Sequence, residues 1–196
     1  MIIGIASHKG GVGKTTTAIH LSAILSNRSP CLLIDGDVNR SALAYSKRST
    51  AELPFRVVDE KAAHRYTPDY KNIVIDTGAH PNKGDLAAIV EGCDRLVIIT
   101  EPEIMSLDVL PEMLADLEKL GSKHHRVLLC QVDPRSPALD ARAVIEQLGA
   151  RVFKAHVRSY AAYKLAAQRG TTVNEIPGEY SGEAWADYQA VARELL

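Results

Sequence analysis

A glycine-rich stretch near the start of the chain carries the residues with the clearest chemistry, and it reads His8-Lys9-Gly10-Gly11-Val12-Gly13-Lys14-Thr15-Thr16. Because glycine has no Cβ, a backbone with three glycines can turn its N–H groups into one concavity that accepts a phosphate. Lys14 supplies an ammonium group for the β- and γ-phosphates, and the Thr15 hydroxyl is a ligand for Mg²⁺. The stretch predicts a phosphate loop in which Lys14 is catalytic and residues 10–16 bind nucleotide.

The residues on either side of this stretch predict a strand and a helix. An apolar run, Ile2 to Ala6, comes before it, and a helical pattern follows from Lys14 to about Ser26. The helix would add its unpaired N–H groups and its positive dipole end to the anion site. A glycine turn that only caps the helix is the alternative, but such a turn does not require the Lys-Thr pair.

Two further apolar runs end in aspartates. Residues 31–34 lead into Asp35-Gly36-Asp37, and residues 72–75 lead into Asp76. In open α/β sheets, ligands bind at the carboxyl ends of the strands. Asp76 has the position of the Walker B carboxylate, which orients the water ligands of Mg²⁺, although an aspartate at a strand end can instead cap the next helix.

Short apolar runs alternate with helical patterns along the rest of the chain. This alternation predicts one domain, residues 1–196, with a doubly wound, mostly parallel sheet and helices on both faces, in which the Asp76 strand lies beside the phosphate-loop strand. The other predicted strands are Phe55–Val58, Leu96–Thr100, Val127–Val132 and Val152–Phe153. The predicted helices are a short one capped by Ser41 (with Leu43, Ala44 and Tyr45), Asp85–Glu91, Leu107–Leu120, Ala138–Leu148, Tyr160–Arg169 and Gly182–Leu196, of which the last packs through Trp185, Tyr188, Val191 and Leu195.

Composition excludes several classes of protein. With 196 residues, 46% hydrophobic and 24% charged, the chain is typical of a soluble globular domain. It has no apolar run near the ~18 residues of a membrane span, and Ile2–Ala6 is too short for a signal-peptide core, so we expect a cytoplasmic protein. The three cysteines and the histidines show no metal-ligand spacing.

Charge is unevenly distributed along the sequence although the net charge is only −1. Residues 85–119 contain nine acidic and two basic side chains, whereas residues 123–169 contain nine basic and three acidic ones. A basic segment of this kind favours an anionic partner such as nucleic acid.

One feature of the loop points to a family. Lys9 is a second lysine in the loop, and His8 stands where the general phosphate-loop pattern has a glycine. This resembles the deviant Walker A loop of the ParA/MinD family of ATPases, and most of all the short ParA-type partition proteins. The resemblance implies ATP and Mg²⁺, and a homodimer that sandwiches ATP, in which Lys9 is catalytic and reaches the nucleotide of the other subunit. Lys9 as a solvated loop lysine is the alternative.

The aspartates at the first strand end resemble the first switch of that family. The resemblance implies that Asp37 positions the attacking water and that Asp35 supports Mg²⁺ together with Thr15 and Asp76, whereas the alternative is that Asp35 and Asp37 only cap the turn. The sequence departs from the family after Asp37, where Val38-Asn39-Arg40-Ser41 replaces Pro-Gln, and after Asp76, where Thr77-Gly78-Ala79-His80-Pro81 replaces Thr-Pro-Pro.

Later segments extend the resemblance toward the C-terminus. Residues 100–108 resemble the strand-end segment that faces the dimer partner. Asp133, Pro134, Arg135 and Arg158 fall where the family contacts the adenine. Within the basic segment, the residues expected to bind DNA are Arg151, Lys154, Lys164 and Arg169.

The family resemblance also implies a function. The ATP-bound dimer would bind DNA without sequence preference, and a ParB-like or small basic centromere-binding partner would stimulate hydrolysis. The cycle would position a plasmid, a chromosome or another cargo on the nucleoid. Because Met1 lies directly before the first strand, we expect no helix-turn-helix domain ahead of it.

Three other functions remain open from the sequence. A MinD-like membrane switch would need a basic amphipathic helix, whereas residues 182–196 are acidic. An electron carrier like the nitrogenase iron protein would need cluster cysteines, for which Cys93 and Cys130 are isolated candidates. A biosynthetic enzyme related to dethiobiotin synthetase would share the loop but usually lacks a lysine equivalent to Lys9.

Overall fold

A computed structural model describes residues 1–135 and 139–196. Its central sheet has the strand order β3-β2-β4-β1-β5-β6, and every neighbouring pair is parallel. The strands are β1 (Ile2–Ser7), β2 (Cys31–Gly36), β3 (Arg56–Asp59), β4 (Asn72–Ala79), β5 (Arg95–Thr100) and β6 (His125–Leu129). The chain reverses its direction of travel across the sheet at β1, and this is where open α/β sheets have their ligand crevice.

Helices cover both faces of the sheet. They are α1 (Lys14–Ser26), α2 (Ser41–Arg48), α3 (Lys83–Gly92), α4 (Ile104–Leu107), α5 (Leu110–Lys119), α6 (Leu139–Gln147), α7 (Ala161–Arg169) and α8 (Ser181–Leu195). Short 3₁₀ turns occupy Glu60–Arg65, Thr67–Asp69 and Val173–Glu175. No helix among the described residues is long and apolar enough to cross a membrane.

Alternate residues of the strands divide between two cores, as the period of two in a strand requires. Ile3, Ile5 and Ile99 pack against α1 and α8 on one face, whereas Ala6 and Ile98 pack against α3, α5 and α6 on the other. Tyr188, Val191 and Leu195 of α8 are buried in the first core, with Trp185 packed against it. The predicted doubly wound fold is confirmed, with β4 beside β1.

The helix predicted over Leu107–Leu120 forms as α5 over Leu110–Lys119, but its predicted start at Leu107 is wrong. The chain forms α4 and α5 instead, with a break at Asp108 and Val109. Pro111 explains the break, because it has no N–H to donate to the carbonyl of Leu107 and its ring would clash with that turn. Proline is tolerated in the first turn of a new helix, where it lies in α5.

Other predicted boundaries shift by a few residues. β6 ends at Leu129, and Val132 makes only an isolated bridge to Arg158. Val152–Phe153 is not a strand but a single bridge from Val152 to Val127. Ala138, the expected start of α6, lies outside the described residues.

Candidate nucleotide-binding site

The phosphate loop connects β1 to α1 at the carboxyl end of the sheet. Gly11 and Gly13 have φ angles of 80° and 105°, in the left-handed region where only glycine is unstrained. A Cβ on Gly10 or Gly11 would meet no atom within 4 Å, so the loop encloses an open concavity. Gly13 precedes α1 without a capping side chain, which leaves N–H groups of the first turn available for an anion.

Lys14 lies at the base of this concavity and is only 6% exposed. Its Nζ donates a hydrogen bond to Ser7 Oγ at 3.0 Å. Burial lowers the pKa of Lys14, and the nearby carboxylates of Asp76 and Asp37 oppose that shift. The site therefore brings Lys14, Asp37 and Asp76 together, as the sequence predicts.

Asp76 is fully buried at the end of β4, and neither of its carboxylate oxygens has a hydrogen-bond partner among the described residues. Burial raises its pKa to about 7; Asp35 and Asp37 add to this rise, while Thr15 and Lys14 oppose it. An unpaired buried carboxylate is costly unless a cation or donor joins it. Thr15 and Asp76 therefore suit Mg²⁺, which proteins bind through one or two oxygen ligands, phosphates and water. The described residues contain no group of three or more His, Cys, Asp or Glu side chains able to hold a metal ion.

Asp35 is also fully buried, but its two oxygens are already used. Oδ1 accepts the N–H of Asp37 at 3.1 Å, and Oδ2 accepts the N–H of Leu43 at 2.9 Å. Asp35 thus caps the first turn of α2. The prediction that Ser41 caps this helix is wrong, because Ser41 is its first residue and the backbone enters α2 through Arg40 in a left-handed conformation (φ 52°). As a metal ligand, Asp35 would have to share oxygens that fix this helix.

The first switch is held by an arginine that the sequence does not single out. Arg40 donates to the carbonyl of Asp35 at 2.7 Å and pairs with Asp59 on β3 at 3.0 Å. Asp37 accepts both the backbone N–H of Asn39, at 2.8 Å, and its side-chain amide, at 3.0 Å. These bonds use only Oδ1 of Asp37, so the carboxylate caps a turn and keeps Oδ2 for another donor.

Lys9 points away from the concavity. Its Nζ lies 2.9 Å from Glu101 Oε2 and 2.9 Å from Ser106 Oγ. Glu101 directly follows β5, and Ser106 belongs to α4. Glu101 Oε1 accepts a hydrogen bond from Gln131 Nε2 at 2.7 Å. We call Lys9, Glu101, Ser106 and Gln131 the Glu101 cluster.

The segment that follows Asp76, residues 77–81, packs against the phosphate loop through two histidines. The ring centroids of His8 and His80 are 5.1 Å apart in an edge-to-face arrangement, and His8 Nε2 lies 3.6 Å from Glu112 Oε2. The His80 N–H also donates to the carbonyl of Ser7. The imidazole that replaces the expected glycine therefore contacts the residues that follow Asp76.

A cavity of about 210 Å³ adjoins the phosphate loop and is lined by Gly11, Gly13 and Thr16 on the loop side. Arg158 lines it but is held by Asp187, with its NH2 nitrogen 2.7 Å from Oδ1. The guanidinium carbon of Arg158 lies 5.2 Å from the ring centroid of Tyr160, which also lines the cavity. Lys164, predicted to bind DNA, belongs to this lining too.

The remaining predicted contacts are dispersed. Asp133 and Arg135 pair with each other, and the Arg135 side chain is 89% exposed. The carbonyl of Arg151 accepts a hydrogen bond from the N–H of Val127, which places Arg151 beside β6. Lys154 lies three residues further along the chain. Arg169 ends α7 next to α2, so the four predicted DNA residues occupy three parts of the molecule.

A buried histidine supports the site from behind. His20 of α1 is fully buried, with Nδ1 2.7 Å from the carbonyl of Thr16, and its Nε2 accepts the N–H of Val173 at 3.1 Å. The ring stacks on Tyr188 at 4.8 Å. Burial lowers the pKa of His20 to about 4, so the ring is neutral at pH 7, donating through Nδ1 and accepting through Nε2.

A second, wider cavity lies away from the phosphate loop. It measures about 1110 Å³ and is lined by residues near the amino ends of β2 and β3, including Arg28, Glu52 and Arg56. It shares no residue with the phosphate loop, and the site chemistry is found in the smaller cavity.

Residues 3–173 match the family described as the CobQ/CobB/MinD/ParA nucleotide binding domain. The chain belongs to this family. It is 37% identical over 201 aligned residues to a protein of Gloeobacter kilaueensis named maintenance of carboxysome distribution protein A, with 99% of this chain and 93% of the relative covered. The family resemblance predicted from the loop is confirmed.

Solved structures of the CobQ/CobB/MinD/ParA family share the fold. The MinC:MinD cell division complex of Aquifex aeolicus superimposes with a TM-score of 0.79 at 19% identity, covering 99% of this chain and 95% of the other. Apo McdA of Cyanothece superimposes with a TM-score of 0.79 at 18% identity, covering 99% and 98%.

Sequence reasoning missed several residues of this site. Ser7 and Gln131 have no recognisable motif, and Glu101 and Ser106 are covered only by the broader segment 100–108. One usable signal was that Glu101, like Asp35 and Asp76, directly follows an apolar strand. The contact of Gln131 with the phosphate loop joins residues 120 positions apart, so no local pattern reveals it.

Proposed function

We propose that this protein is a Mg²⁺-dependent ATPase whose ATP-bound form is a homodimer and whose cycle positions a large intracellular cargo. The observation that carries the proposal is the fully buried, unpaired carboxylate of Asp76 beside Lys14 and the phosphate loop. A carboxylate in that position needs a cation, and the nucleotide phosphates supply the other ligands that Mg²⁺ prefers. Membership of a nucleotide-binding family supports the same reading.

The residues of the site then have distinct roles in phosphoryl transfer. Backbone N–H groups of residues 10–16 hold the phosphates, and Lys14 neutralises charge on the β- and γ-oxygens. Thr15 and Asp76 would hold Mg²⁺, which when bound would supply positive charge to the phosphate oxygens. Asp37 accepts a hydrogen bond from the attacking water through Oδ2, because its Oδ1 is bound to Asn39.

Dimerisation brings Lys9 to the nucleotide of the second subunit. Exposed apolar side chains at the same edge support a covered surface there: Val38 is 88% exposed, Ile104 78% and Met105 75%. Large apolar side chains concentrated at one edge indicate an interaction surface. Because this edge also contains the phosphate loop, a second copy placed there would enclose the nucleotide.

The named relative supports a particular class of cargo. The Gloeobacter kilaueensis protein that covers 99% of this chain is named for carboxysome distribution, so we take a carboxysome, or a body of similar size, as the cargo. In this proposal the ATP-bound dimer binds nucleoid DNA through phosphate contacts, and a basic partner protein on the cargo stimulates hydrolysis. Plasmid and chromosome partition are the alternative cargoes of the same cycle.

Hydrolysis and metal dependence test the core of the proposal. Purified protein should release phosphate from ATP only with Mg²⁺, and Asp76→Asn should lose that release because the neutral amide no longer balances the cation. Asp116→Asn, a carboxylate on α5, is the control and should keep wild-type turnover. Equal phosphate release from Asp76→Asn and the wild type would refute the proposed site.

DNA binding and cargo positioning need separate measurements. With ATP, unrelated duplexes should bind equally, and affinity should fall steeply with salt, since phosphate contacts release counterions. Charge reversal of Arg151, Lys154, Lys164 or Arg169 singly should show which of the three parts of the surface contributes. In cells, tagged carboxysomes should cluster when the protein is deleted; unchanged spacing would exclude that cargo.

A further inference from the structure

The outer lysine of the phosphate loop is engaged within its own subunit. Lys9 Nζ donates to Glu101 Oε2 and Ser106 Oγ, each at 2.9 Å. Ser106 Oγ in turn donates to the same Glu101 oxygen at 2.9 Å, which closes a three-membered ring of hydrogen bonds. Two of the three N–H groups of the ammonium are therefore occupied.

This arrangement is more than a surface ion pair. The Glu101 side chain is only 13% exposed and Ser106 is buried, so water screens the pair less than it would on an open surface. The Lys9 side chain is 37% exposed, which leaves it a route outward. The pair is therefore stable in the isolated subunit but can be exchanged.

Gln131 connects the same carboxylate to the phosphate loop. Its Nε2 donates both to Glu101 Oε1 and to the carbonyl of Gly11, each at 2.7 Å. Gln131 has a φ of 56°, a left-handed conformation that is strained in a residue with a side chain. Such a conformation persists when the surrounding contacts over-determine it, and here the side chain spans the loop and the end of β5.

We infer that Glu101 is a positioning residue that retains Lys9 in the free subunit and so raises the concentration at which the ATP-bound subunits dimerise. The inference rests on the proposed function, because it takes Lys9 to act on the nucleotide of a second copy. Lys9 cannot bind that nucleotide and keep both partners at 2.9 Å. In the dimer, the negative charge of Glu101 would also lie near the incoming phosphates and oppose them.

The position of Ser106 supports this assignment. It belongs to α4, whose neighbouring residues Ile104 and Met105 are exposed apolar side chains. A subunit that covers Ile104 and Met105 would contact the same short helix that supplies a hydroxyl to Lys9. Ile104, Met105 and Ser106 are consecutive, so a second subunit that covers the first two would also disturb the contact between Ser106 and Lys9.

Glu101→Gln tests the inference, because it removes the charge and keeps the shape and the bond to Gln131. Dimer formation with a non-hydrolysable ATP analogue is measured by analytical ultracentrifugation, and analogue affinity is measured at protein concentrations where the wild type is monomeric. The dimer dissociation constant should fall roughly three- to tenfold, as expected for loss of a partly buried ion pair with a charged hydrogen bond. Affinity of the monomer for the analogue should stay within about twofold, since Lys9 does not face its own site.

Ser106→Ala is the second variant, and Glu118→Gln is the matched control. Ser106→Ala removes one partner of Lys9 without a change of charge, so it should tighten the dimer in the same direction by a smaller factor. Glu118→Gln makes the same charge change on an exposed side chain of α5 and should leave dimerisation at the wild-type value. A purely structural role of Glu101 would instead weaken monomer binding and dimerisation together.

The outcomes separate this inference from the proposed function. If the wild type dimerises, Lys9→Ala does not, and Glu101→Gln dimerises no better than the wild type, the inference is wrong and the proposed function stands. If neither the wild type nor Glu101→Gln dimerises with the analogue, both are wrong. Dimerisation of Glu101→Gln under conditions where the wild type stays monomeric would support both.

Discussion

Two lysines of one loop, five positions apart, have opposite surroundings. Lys14 is buried against Ser7 and near the carboxylates of Asp37 and Asp76, and it faces the phosphate concavity. Lys9 lies outside that concavity and is bound by Glu101 and Ser106. In the proposed cycle the inner lysine binds the nucleotide of its own subunit, whereas the outer one leaves Glu101 and Ser106 to reach a second copy.

The two lysines also differ in how freely their side chains can move. Burial lowers the pKa of Lys14 and the neighbouring carboxylates offset part of that shift, while the hydrogen bond to Ser7 holds the side chain in place. Lys9 keeps partial exposure and a single carboxylate partner, so it can move at a small free-energy cost. Preorganisation and mobility are therefore separated within one short segment.

Replacing the inner lysine should have the largest effect. Lys14→Ala removes the cation at the β- and γ-phosphates, so ATP affinity should fall about 100-fold or more, as for loss of one member of a buried charge pair. Isothermal titration calorimetry measures it. Lys119→Ala, an exposed lysine on α5, should bind like the wild type, and a Lys14 variant with less than a fivefold loss would contradict the assignment.

Removing the carboxylate at the first switch should affect turnover but not binding. Asp37→Ala should retain ATP and Mg²⁺, because Lys14, Thr15 and Asp76 remain, and should lose about 100-fold in phosphate release, as for loss of a general base. The variant should accumulate as the dimer in ATP. Asp69→Ala, at an exposed position, is the control and should keep wild-type turnover. Wild-type turnover of Asp37→Ala would exclude Asp37 as the residue that positions water and would make Asn39 the next candidate.

Replacing the outer lysine should separate assembly from binding. Lys9→Ala should keep monomer affinity for ATP within about threefold, because Lys9 does not contact its own phosphate concavity, yet should lose ATP-dependent dimerisation and hydrolysis. Light scattering with ATP measures the dimer fraction. A Lys9 variant that dimerises and hydrolyses normally would leave the lysine as a solvated loop residue.

The smallest effect concerns the histidine behind the inner lysine. The pKa of His20 is about 4 in the fold and ~6.5 when unfolded, so the unfolded chain binds more protons between these values and stability falls as pH falls. Asp76, whose pKa is raised to about 7, titrates in the same range with the opposite sign, so His20→Gln is the reference. Between pH 7 and 5.5 the free energy of unfolding by urea should fall by about 1 kcal/mol more in the wild type than in His20→Gln. His64→Asn, an exposed control, should keep the profile, and a His20 NMR titration near pH 6.5 would contradict it.

Much of the inner site could be predicted from sequence, because its parts follow strands directly. The loop, Asp37 and Asp76 each come at the carboxyl end of an apolar run, and parallel strands bring those ends to one edge. The family that the loop predicted is the one that the chain matches. The prediction that Ser41 caps α2 is wrong, because Asp35 at the end of β2, eight residues before Leu43, accepts the Leu43 N–H instead.

The basic segment shows the limit of reading charge along a chain. Arg126, Arg135 and Arg158 all make ion pairs, with Glu194, Asp133 and Asp187. Lys164 lines the cavity beside the phosphate loop, whereas Arg151 lies near the amino end of β6. Neighbours in sequence therefore separate in space, and a net local charge does not define a single surface.

The sequence by itself determined the fold class, the phosphate loop and the pair of lysines, because periodicity and glycine chemistry act over a few residues. Only the tertiary structure decided which carboxylate stays unpaired and which caps a helix, and where Lys9 points. Those outcomes depend on contacts such as Lys9 with Glu101 and Gln131 with Gly11, which join residues 92 and 120 positions apart. Long-range hydrogen bonds of this kind form only when the sheet has brought its strand ends together, so no local pattern encodes them.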